Sequence, residues 1–202
     1  MTSALPEDQR RELDDYQTPD WAIDAVLPFL LPRLGPGGGL ILEPACGAGG
    51  IFRRLVASGV ESHRMHGIEI HPERAAEARA GGFSVVAADA LSPDTEWPSA
   101  DLIISNPPFR QAEAFCRRAL ESVAFAGTVA MLLRLAFLES AERYEFHRRY
   151  PVNGLHVFSS RPSFTANGKT DSAAYAWFCW GAGQPGITVL PPHVAPRKKR
   201  TP

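Results

Sequence analysis

The fold of this protein is decided by residues 43–50, Glu-Pro-Ala-Cys-Gly-Ala-Gly-Gly, which join a short apolar run to a helical pattern. The apolar run is residues 40–42, and the helical pattern is formed by Ile51, Phe52, Leu55 and Val56. Such a run followed by that spacing is typical of a strand and a helix. The small residues between them let a ligand approach the backbone and the helix N-terminus. The stretch therefore predicts a strand, a binding turn and a helix.

The same order continues along the chain. Residues 66–70 are predicted to form a strand, and Pro72 opens a helix that stops at glycines 81 and 82. A third strand, residues 83–88, reaches Asp89. Residues 101–105 form a fourth strand that runs into Asn106. A helical stripe follows, and residues 128–133 read as a fifth strand. The stripe consists of Ala112, Phe115, Cys116, Ala119, Leu120 and Val123.

The two ends of the chain differ from this alternation. Thr18, Pro19 and Asp20 are typical of a helix start, and apolar residues at helical spacing continue to Leu31. Residues 155–159 and 173–180 read as two strands joined by the loop 161–171, with no helix between them. We expect these two strands to form an antiparallel hairpin at the sheet edge.

Alternating strands and helices predict an α/β fold with a mostly parallel sheet and helices on both faces. The predicted strands number seven, including the C-terminal hairpin. Ligands bind at the carboxyl ends of such strands, which is where Glu43, Glu69, Asp89 and Asn106 fall. This convergence is the main argument for an active site.

Composition sets the wider limits. A chain of 202 residues fits one domain, here 1–196, followed by a tail, 197–202, that begins Arg-Lys-Lys-Arg. A net charge of −1 argues against a broad basic field, so any contact with phosphates is local. No apolar run approaches a bilayer span, no secretory signal is present, and three scattered cysteines suit a reducing compartment. We expect a cytoplasmic protein with no membrane partner, and the sequence leaves its oligomeric state open.

The spacing of the acids indicates the ligand. Glu69 lies 22 residues beyond Gly47, at the end of the next strand, where a carboxylate can accept hydrogen bonds from ribose hydroxyls. Asp89 is placed to meet an adenine edge. A nicotinamide or flavin nucleotide is the alternative, but the turn lacks G-x-G-x-x-G, and Glu43 would repel a pyrophosphate. A carboxylate there suits the cationic sulfonium and amino groups of S-adenosylmethionine.

With these motifs in order, the sequence resembles the class I S-adenosylmethionine-dependent methyltransferases that methylate amino groups in nucleic acids, which have a Rossmann-like fold. The resemblance covers about residues 15 to 135 and includes Asn106-Pro107-Pro108-Phe109 as the catalytic tetrapeptide. Residues 161–164 and 169–171 also look like phage-associated DNA adenine methyltransferases. The resemblance implies cofactor contacts from Tyr16, Gln17, Thr18, Pro19, Glu43, Pro44, Ala45, Cys46, Gly47, Gly49, Glu69, Ile70, Asp89, Ala90 and Asn106.

The residue types of the tetrapeptide suit the methylation of a weakly nucleophilic amino group. The lone pair of an exocyclic amino nitrogen is delocalised into the ring, so the nitrogen is a poor nucleophile. If the Asn106 side-chain oxygen and the Pro107 carbonyl accept hydrogen bonds from it, the nitrogen can pyramidalise toward the methyl donor. Pro107 and Pro108 stiffen the turn, and Phe109 would stack on the base. In duplex DNA that base would have to leave the helix.

Other residues receive separate interpretations. Arg161, Phe164 and Lys169 lie on the loop near the active end, where they can contact phosphate or base. Cys46 is expected to be a small packing residue rather than a nucleophile. The spacing of His63, His66 and His71 is unlike a metal site, and no metal is predicted. Trp177, Phe178 and Trp180 are expected to pack in the core or at its edge.

The preferred hypothesis is transfer of methyl from S-adenosylmethionine to adenine N6 in DNA, so that nucleic acid is the partner and DNA is favoured over RNA. The same chemistry on RNA adenine, or on the side-chain amide of a protein glutamine, stays open, because the tetrapeptide does not separate these substrates. A module that binds cofactor or nucleic acid without turnover is the third hypothesis.

Overall fold

The computed structural model describes residues 17–34, 38–164, 172–181 and 185–193. Tyr16, Lys169 and the basic tail lie outside these residues. The α-helices are α1 (Asp20–Asp24), α2 (Leu27–Leu30), α3 (Gly50–Ala57), α4 (Pro72–Ala80), α5 (Ala112–Ser122) and α6 (Tyr144–Arg149). The strands are β1 (Ile41–Pro44), β2 (Met65–Glu69), β3 (Ser84–Ala87), β4 (Ala100–Ser105), β5 (Val123–Arg134), β6 (Gly154–Phe158), β7 (Tyr175–Gly181) and β8 (Gly186–Leu190). Short 3-10 helices are Leu31–Arg33, Ser62–Arg64, Phe109–Gln111 and Leu135–Leu138.

Within the described residues, these strands form one sheet in the order β3-β2-β1-β4-β5-β7-β6-β8. The first five are parallel neighbours, and β7 runs antiparallel to both β5 and β6. The chain leaves β1 toward β2 and β3 but returns through β4 toward β5, so the direction of winding reverses between β1 and β4. The carboxyl ends at such a reversal border a crevice, which is the usual ligand site of an open α/β sheet.

Two hydrophobic cores cover the two faces of the sheet. On one face α1 to α4 bury residues such as Ile23, Leu30, Phe52 and Ala75. On the other face α5 and α6 bury residues such as Phe115 and Phe146. The α/β fold with helices on both faces, predicted from the alternation, is confirmed. Among the described residues, no helix is long and apolar enough to cross a membrane.

The sheet edge differs from the prediction. The sheet has eight strands rather than seven, because β8 pairs in parallel with β6. The two predicted C-terminal strands are antiparallel, as expected, but β7 lies in the interior beside β5 and β8 forms the edge. The tryptophan-rich run in β7 is fully buried for this reason, since it packs between two neighbouring strands.

The predicted N-terminal helix is interrupted. The segment forms α1, a turn at residues 25 and 26, α2 and a 3-10 turn. Pro28 and Pro32 stand at the starts of the second and third pieces, because a proline has no backbone N–H to continue a helix ladder. Pro19, not Thr18, caps α1, and no side-chain hydrogen bond closes that end.

Candidate cofactor and methyl-acceptor site

The glycine-rich turn leaves β1 in a left-handed path. Ala45, Gly47 and Gly49 have φ of 62°, 54° and 81°, and Gly49 is the N-cap of α3. The Cys46 N–H donates to the Ile68 carbonyl over 3.0 Å, which ties the turn to β2. Among the described residues, a Cβ added at Gly47 would meet only the Arg74 guanidinium, at 3.8 Å. The backbone of the turn therefore borders open space, as close approach of a ligand requires.

Glu69 holds this turn from the neighbouring strand. It is the last residue of β2 and is 4% exposed. One carboxylate oxygen accepts the Gly47 N–H at 2.7 Å, and the other accepts the His71 N–H at 2.9 Å. The side chain thus positions the turn as well as lying at the predicted ribose-binding strand end. Ile70 follows it and is 57% exposed, which leaves an apolar side chain uncovered beside the crevice.

Glu43 is a buried carboxyl in β1, 3% exposed. Its Oε2 has no hydrogen-bond partner among the described residues. Burial first, and then the nearby Glu69 carboxylate, raise the pKa of Glu43 well above its usual value. A carboxyl with a raised pKa loses its proton less readily than an ordinary one, and a cation beside it would favour its ionised form. The pair of buried acids therefore favours a positively charged ligand and disfavours a phosphate.

Asp89 lies just beyond β3, which ends at Ala87 rather than reaching the acid. The residue is exposed, and its Oδ1 accepts the Leu91 N–H at 2.8 Å, so the side chain caps its own turn. Ala90 is buried, and its carbonyl accepts the Trp97 indole N–H at 2.9 Å. These two residues stand at the same end of the sheet as Glu69, because the Ala88 N–H donates to the Glu69 carbonyl.

Asn106 to Phe109 leave β4 directly opposite the glycine turn. The hydroxyl of Ser105, the last residue of β4, donates to the Pro44 carbonyl, the last of β1. Asn106 therefore follows a strand end that is tied to the start of the turn. Pro107 is buried, Pro108 caps the 3-10 turn, and Phe109 begins it. The structure thus brings the tetrapeptide and the glycine turn together across the crevice.

The described part of the N-terminal element is docked on the sheet. Thr18 is buried, Pro19 is half-buried and Gln17 is exposed. Trp177 of β7 holds α1 against the sheet, since its indole N–H donates to the Ala22 carbonyl at 2.8 Å.

Phe109 lies in an aromatic cluster beside the candidate site. Its ring centroid is 5.5 Å from that of Tyr175 and 6.1 Å from that of Phe164. Phe164 is only 8% exposed, so it supports Phe109 more than it offers a surface of its own. The guanidinium carbon of Arg134 lies over the Phe109 ring, 5.0 Å from the centroid. Arg161, predicted to contact substrate, is exposed on the loop after β6.

Sequence reasoning missed Arg134 and Tyr175. Arg134 ends β5, and a polar residue at a strand end is the signal that identified Glu69 and Asn106. Tyr175 gave no such signal, because it begins an apolar strand rather than ending one. The interpretation of Cys46 as a packing residue agrees with its burial, which raises the pKa of its thiol. No group of three His, Cys, Asp or Glu side chains suited to a metal occurs in the described parts of the chain.

No protein-family model and no curated protein sequence matches the chain. Solved structures do. A candidate class I S-adenosylmethionine-dependent methyltransferase of Listeria monocytogenes has a TM-score of 0.67 at 14% identity, over 93% of this chain and 67% of that one. A candidate RNA methyltransferase of Pyrococcus horikoshii has a TM-score of 0.68 at 16% identity, over 88% and 90%. The M protein of the type I restriction enzyme EcoKI has a TM-score of 0.63 at 17% identity, over 85% and 44%.

These likenesses show that the fold is the Rossmann-like fold of class I methyltransferases. The chain matches less than half of the EcoKI M protein and two thirds of the Listeria protein.

Proposed function

We propose that this protein is an S-adenosylmethionine-dependent methyltransferase that acts on the exocyclic N6 amino group of adenine in nucleic acid, with DNA favoured over RNA. The observation that carries the proposal is the juxtaposition of two turns. Asn106 to Phe109 leave β4 beside Pro44, where the glycine turn begins. A cofactor held on one turn and an amino group held on the other would meet in the crevice between β1 and β4.

The residues present fit this cofactor. The buried Glu43 carboxyl, with an oxygen that has no hydrogen-bond partner within the described ranges, suits a cationic amino or sulfonium group. The space beside Gly47 leaves room for a ligand against the backbone, and Glu69 and Asp89, at or just beyond the ends of the next two strands, would bind its ribose and adenine. The same site would be lined by Pro44, Ala45, Cys46, Gly49, Ile70 and Ala90. The end that receives the methionine part of the cofactor would be bordered by Gln17, Thr18 and Pro19. When bound, S-adenosylmethionine supplies an electrophilic methyl group on sulfur.

The chain's own contribution to transfer is positioning. The Asn106 side-chain oxygen and the Pro107 carbonyl accept hydrogen bonds from the two N–H groups of the acceptor. As the bond to the methyl group forms and the methyl–sulfur bond breaks, the nitrogen would become pyramidal and gain positive charge, so both acceptors would bind it more strongly than in the ground state. The methylated nitrogen would then lose one proton to solvent, and the sulfonium would be left as a neutral thioether. Pro107 and Pro108 hold the acceptors in place before substrate arrives. Phe109, supported by Phe164 and Tyr175, provides an apolar plane for the base.

The choice of adenine in DNA rests on the resemblance of residues 161–164 and 169–171 to phage-associated DNA adenine methyltransferases. Two of the structural neighbours are described as an RNA methyltransferase candidate and a restriction-enzyme M protein, so the fold accommodates either nucleic acid.

The test is mass analysis of the methylated product. The protein is incubated with S-adenosylmethionine carrying a trideuterated methyl group and, separately, single-stranded DNA, duplex DNA, RNA and a glutamine-containing peptide. We expect labelled N6-methyldeoxyadenosine from DNA, and far less of it from the Asn106→Ala variant over the same reaction time. Label found in RNA adenine or in glutamine would support the same methyl-transfer chemistry but would identify a different substrate. Cofactor binding without transfer to any acceptor would identify a module without turnover.

A further inference from the structure

Arg134 covers the ring of Phe109, on which the base stacks in the proposed function. The residue ends β5 and is exposed, and its guanidinium carbon lies 5.0 Å from the centre of the Phe109 ring. Its Nε donates to the Tyr175 hydroxyl at 3.2 Å. Tyr175 is the cross-strand partner of Arg134 in β7 and is itself buried. The guanidinium is thus placed over Phe109 by a neighbouring strand.

A base and a guanidinium compete for the same surface. Tyr175 and Phe164 already pack against the Phe109 ring, at centroid distances of 5.5 and 6.1 Å. A base that stacks on the face under the guanidinium has to displace it. The cation–π contact with Phe109 and the 3.2 Å hydrogen bond to Tyr175, which this displacement breaks, are both weak at an exposed position.

The displaced cation has a better partner in one class of substrate. A guanidinium binds a phosphate through two parallel hydrogen bonds, which a ring face cannot match. A nucleotide brings a phosphate with its base, whereas a glutamine side chain in a peptide brings none. Arg110 and Arg161 are exposed on the turn and the loop next to the same cluster, so two further guanidinium groups lie near it in the chain.

We propose that Arg134 is a positioning residue: it covers Phe109 in the free protein and transfers to a backbone phosphate of the substrate when a base stacks on that ring. This inference rests on the proposed function, because it takes Phe109 as the surface that receives the base. According to this inference, Arg134 makes the protein bind nucleic acid in preference to a protein that carries a glutamine amide.

The experiment measures binding of a fluorescently labelled, adenine-rich single-stranded oligodeoxynucleotide at several salt concentrations, by anisotropy. We expect Arg134→Ala to bind about tenfold more weakly at low salt, as the loss of one charged hydrogen-bonding group implies. The slope of log affinity against log salt should fall by about 0.7, the value for one phosphate contact on a single strand. Arg134→Lys should keep the slope, since an ammonium still neutralises a phosphate.

Arg148→Ala is the matched control. Arg148 is an exposed arginine of α6 that is paired with Glu145 at 2.7 Å, so its loss removes the same charge from another surface. This variant should leave the salt slope unchanged. A second arm replaces single phosphates of the oligonucleotide by neutral methylphosphonates. At the linkage that Arg134 contacts, the difference between wild type and Arg134→Ala should disappear.

Equal salt slopes for wild type, Arg134→Ala and Arg148→Ala would overturn the inference. A difference in affinity with no difference in slope would do the same, because it would assign to Arg134 a structural role only. The proposed function fails separately, if wild-type protein that shows the Arg134-dependent slope transfers no methyl group to any acceptor.

Discussion

Glu43 combines deep burial with a carboxyl oxygen for which the described residues provide no hydrogen bond. Because its pKa is raised by burial and by the Glu69 carboxylate, its protonated form persists to a higher pH in the folded protein than in the unfolded chain. A raised pKa contributes stability that is complete below the unfolded value, about 4.3, and is lost as pH rises through the folded value. The free protein should therefore lose stability from this residue as pH rises above about 5.

Glu43→Gln should remove this loss, since an amide stays neutral at every pH. In the absence of cofactor, we expect the difference in melting temperature, variant minus wild type, to increase between pH 5 and pH 8. Its affinity for S-adenosylmethionine should fall by about tenfold, because the cationic ligand loses a charged partner. Thermal denaturation and titration calorimetry measure the two effects. Glu77→Gln, an exposed residue of α4, is the control, and an advantage that does not grow with pH would contradict the assignment.

Asn106 tests the acceptor side separately. If its side-chain oxygen accepts a hydrogen bond from the target amino group, Asn106→Ala should lower kcat by about 10² to 10³, the usual effect of losing one preorganised group at the reacting atom. Cofactor affinity should stay within a few fold, because the glycine turn and both acids are intact. Single-turnover methyl transfer and calorimetry measure these quantities. Near-normal turnover would refute the role of Asn106.

The turn after β1 depends on its contact with β2. A Cβ added at Gly67 would lie 2.6 Å from the Cys46 sulfur and 3.1 Å from atoms of Phe52 and Val85. Gly67 therefore permits the glycine turn to lie against the strand. This is a packing role that the sequence pattern does not reveal, since Gly67 stands within an ordinary-looking strand.

Gly67→Ala should lower the free energy of unfolding by about 1 to 3 kcal/mol, because the added methyl overpacks the contact. The shifted turn should also weaken cofactor binding. In a Cys46→Ala background the sulfur is absent, so the same substitution should cost less. Denaturant unfolding of the two single variants and the double variant gives the coupling. Identical penalties in both backgrounds would show that Cys46 does not limit the approach of the two strands.

The elements that were predicted well are those whose pattern is local. The strand and helix order from β1 to α5 follows apolar spacing, and glycines or prolines mark most of the boundaries. The prediction began β5 at residue 128, but the strand begins at Val123, because Val123 pairs with Ala100 ahead of a register shift. Pairing of this kind depends on a distant strand and leaves no periodic signal.

Trp177 connects the two ends of the molecule. Its fully buried indole on β7 donates to the Ala22 carbonyl of α1 at 2.8 Å. The helix that follows the predicted methionine-end element is therefore held by a strand from the last third of the chain. We expect this bond to link the stability of the domain to the order of the candidate cofactor site.

Trp177→Phe should destabilise the protein by about 1 to 3 kcal/mol, because the Ala22 carbonyl loses a buried partner. We also expect weaker binding of S-adenosylmethionine, since α1 is loosened. Trp180→Phe is a matched control: it removes the indole bond to the Tyr150 carbonyl at 3.0 Å, on the other core, away from α1. Calorimetry and thermal denaturation should show destabilisation in both variants but lower cofactor affinity only in the first. Equal loss of affinity would contradict the link.

The α/β alternation and the polar residues at strand ends were readable from the chain, because periodicity and strand boundaries are properties of neighbouring residues. Three features could not be read from the chain. They are the edge position of β8, the Glu43 oxygen that lacks a hydrogen-bond partner among the described residues, and the placement of Arg134 over Phe109. Each of these depends on the distance between side chains that are far apart in sequence. Such distances exist only after the strands have paired and the helices have packed on the sheet.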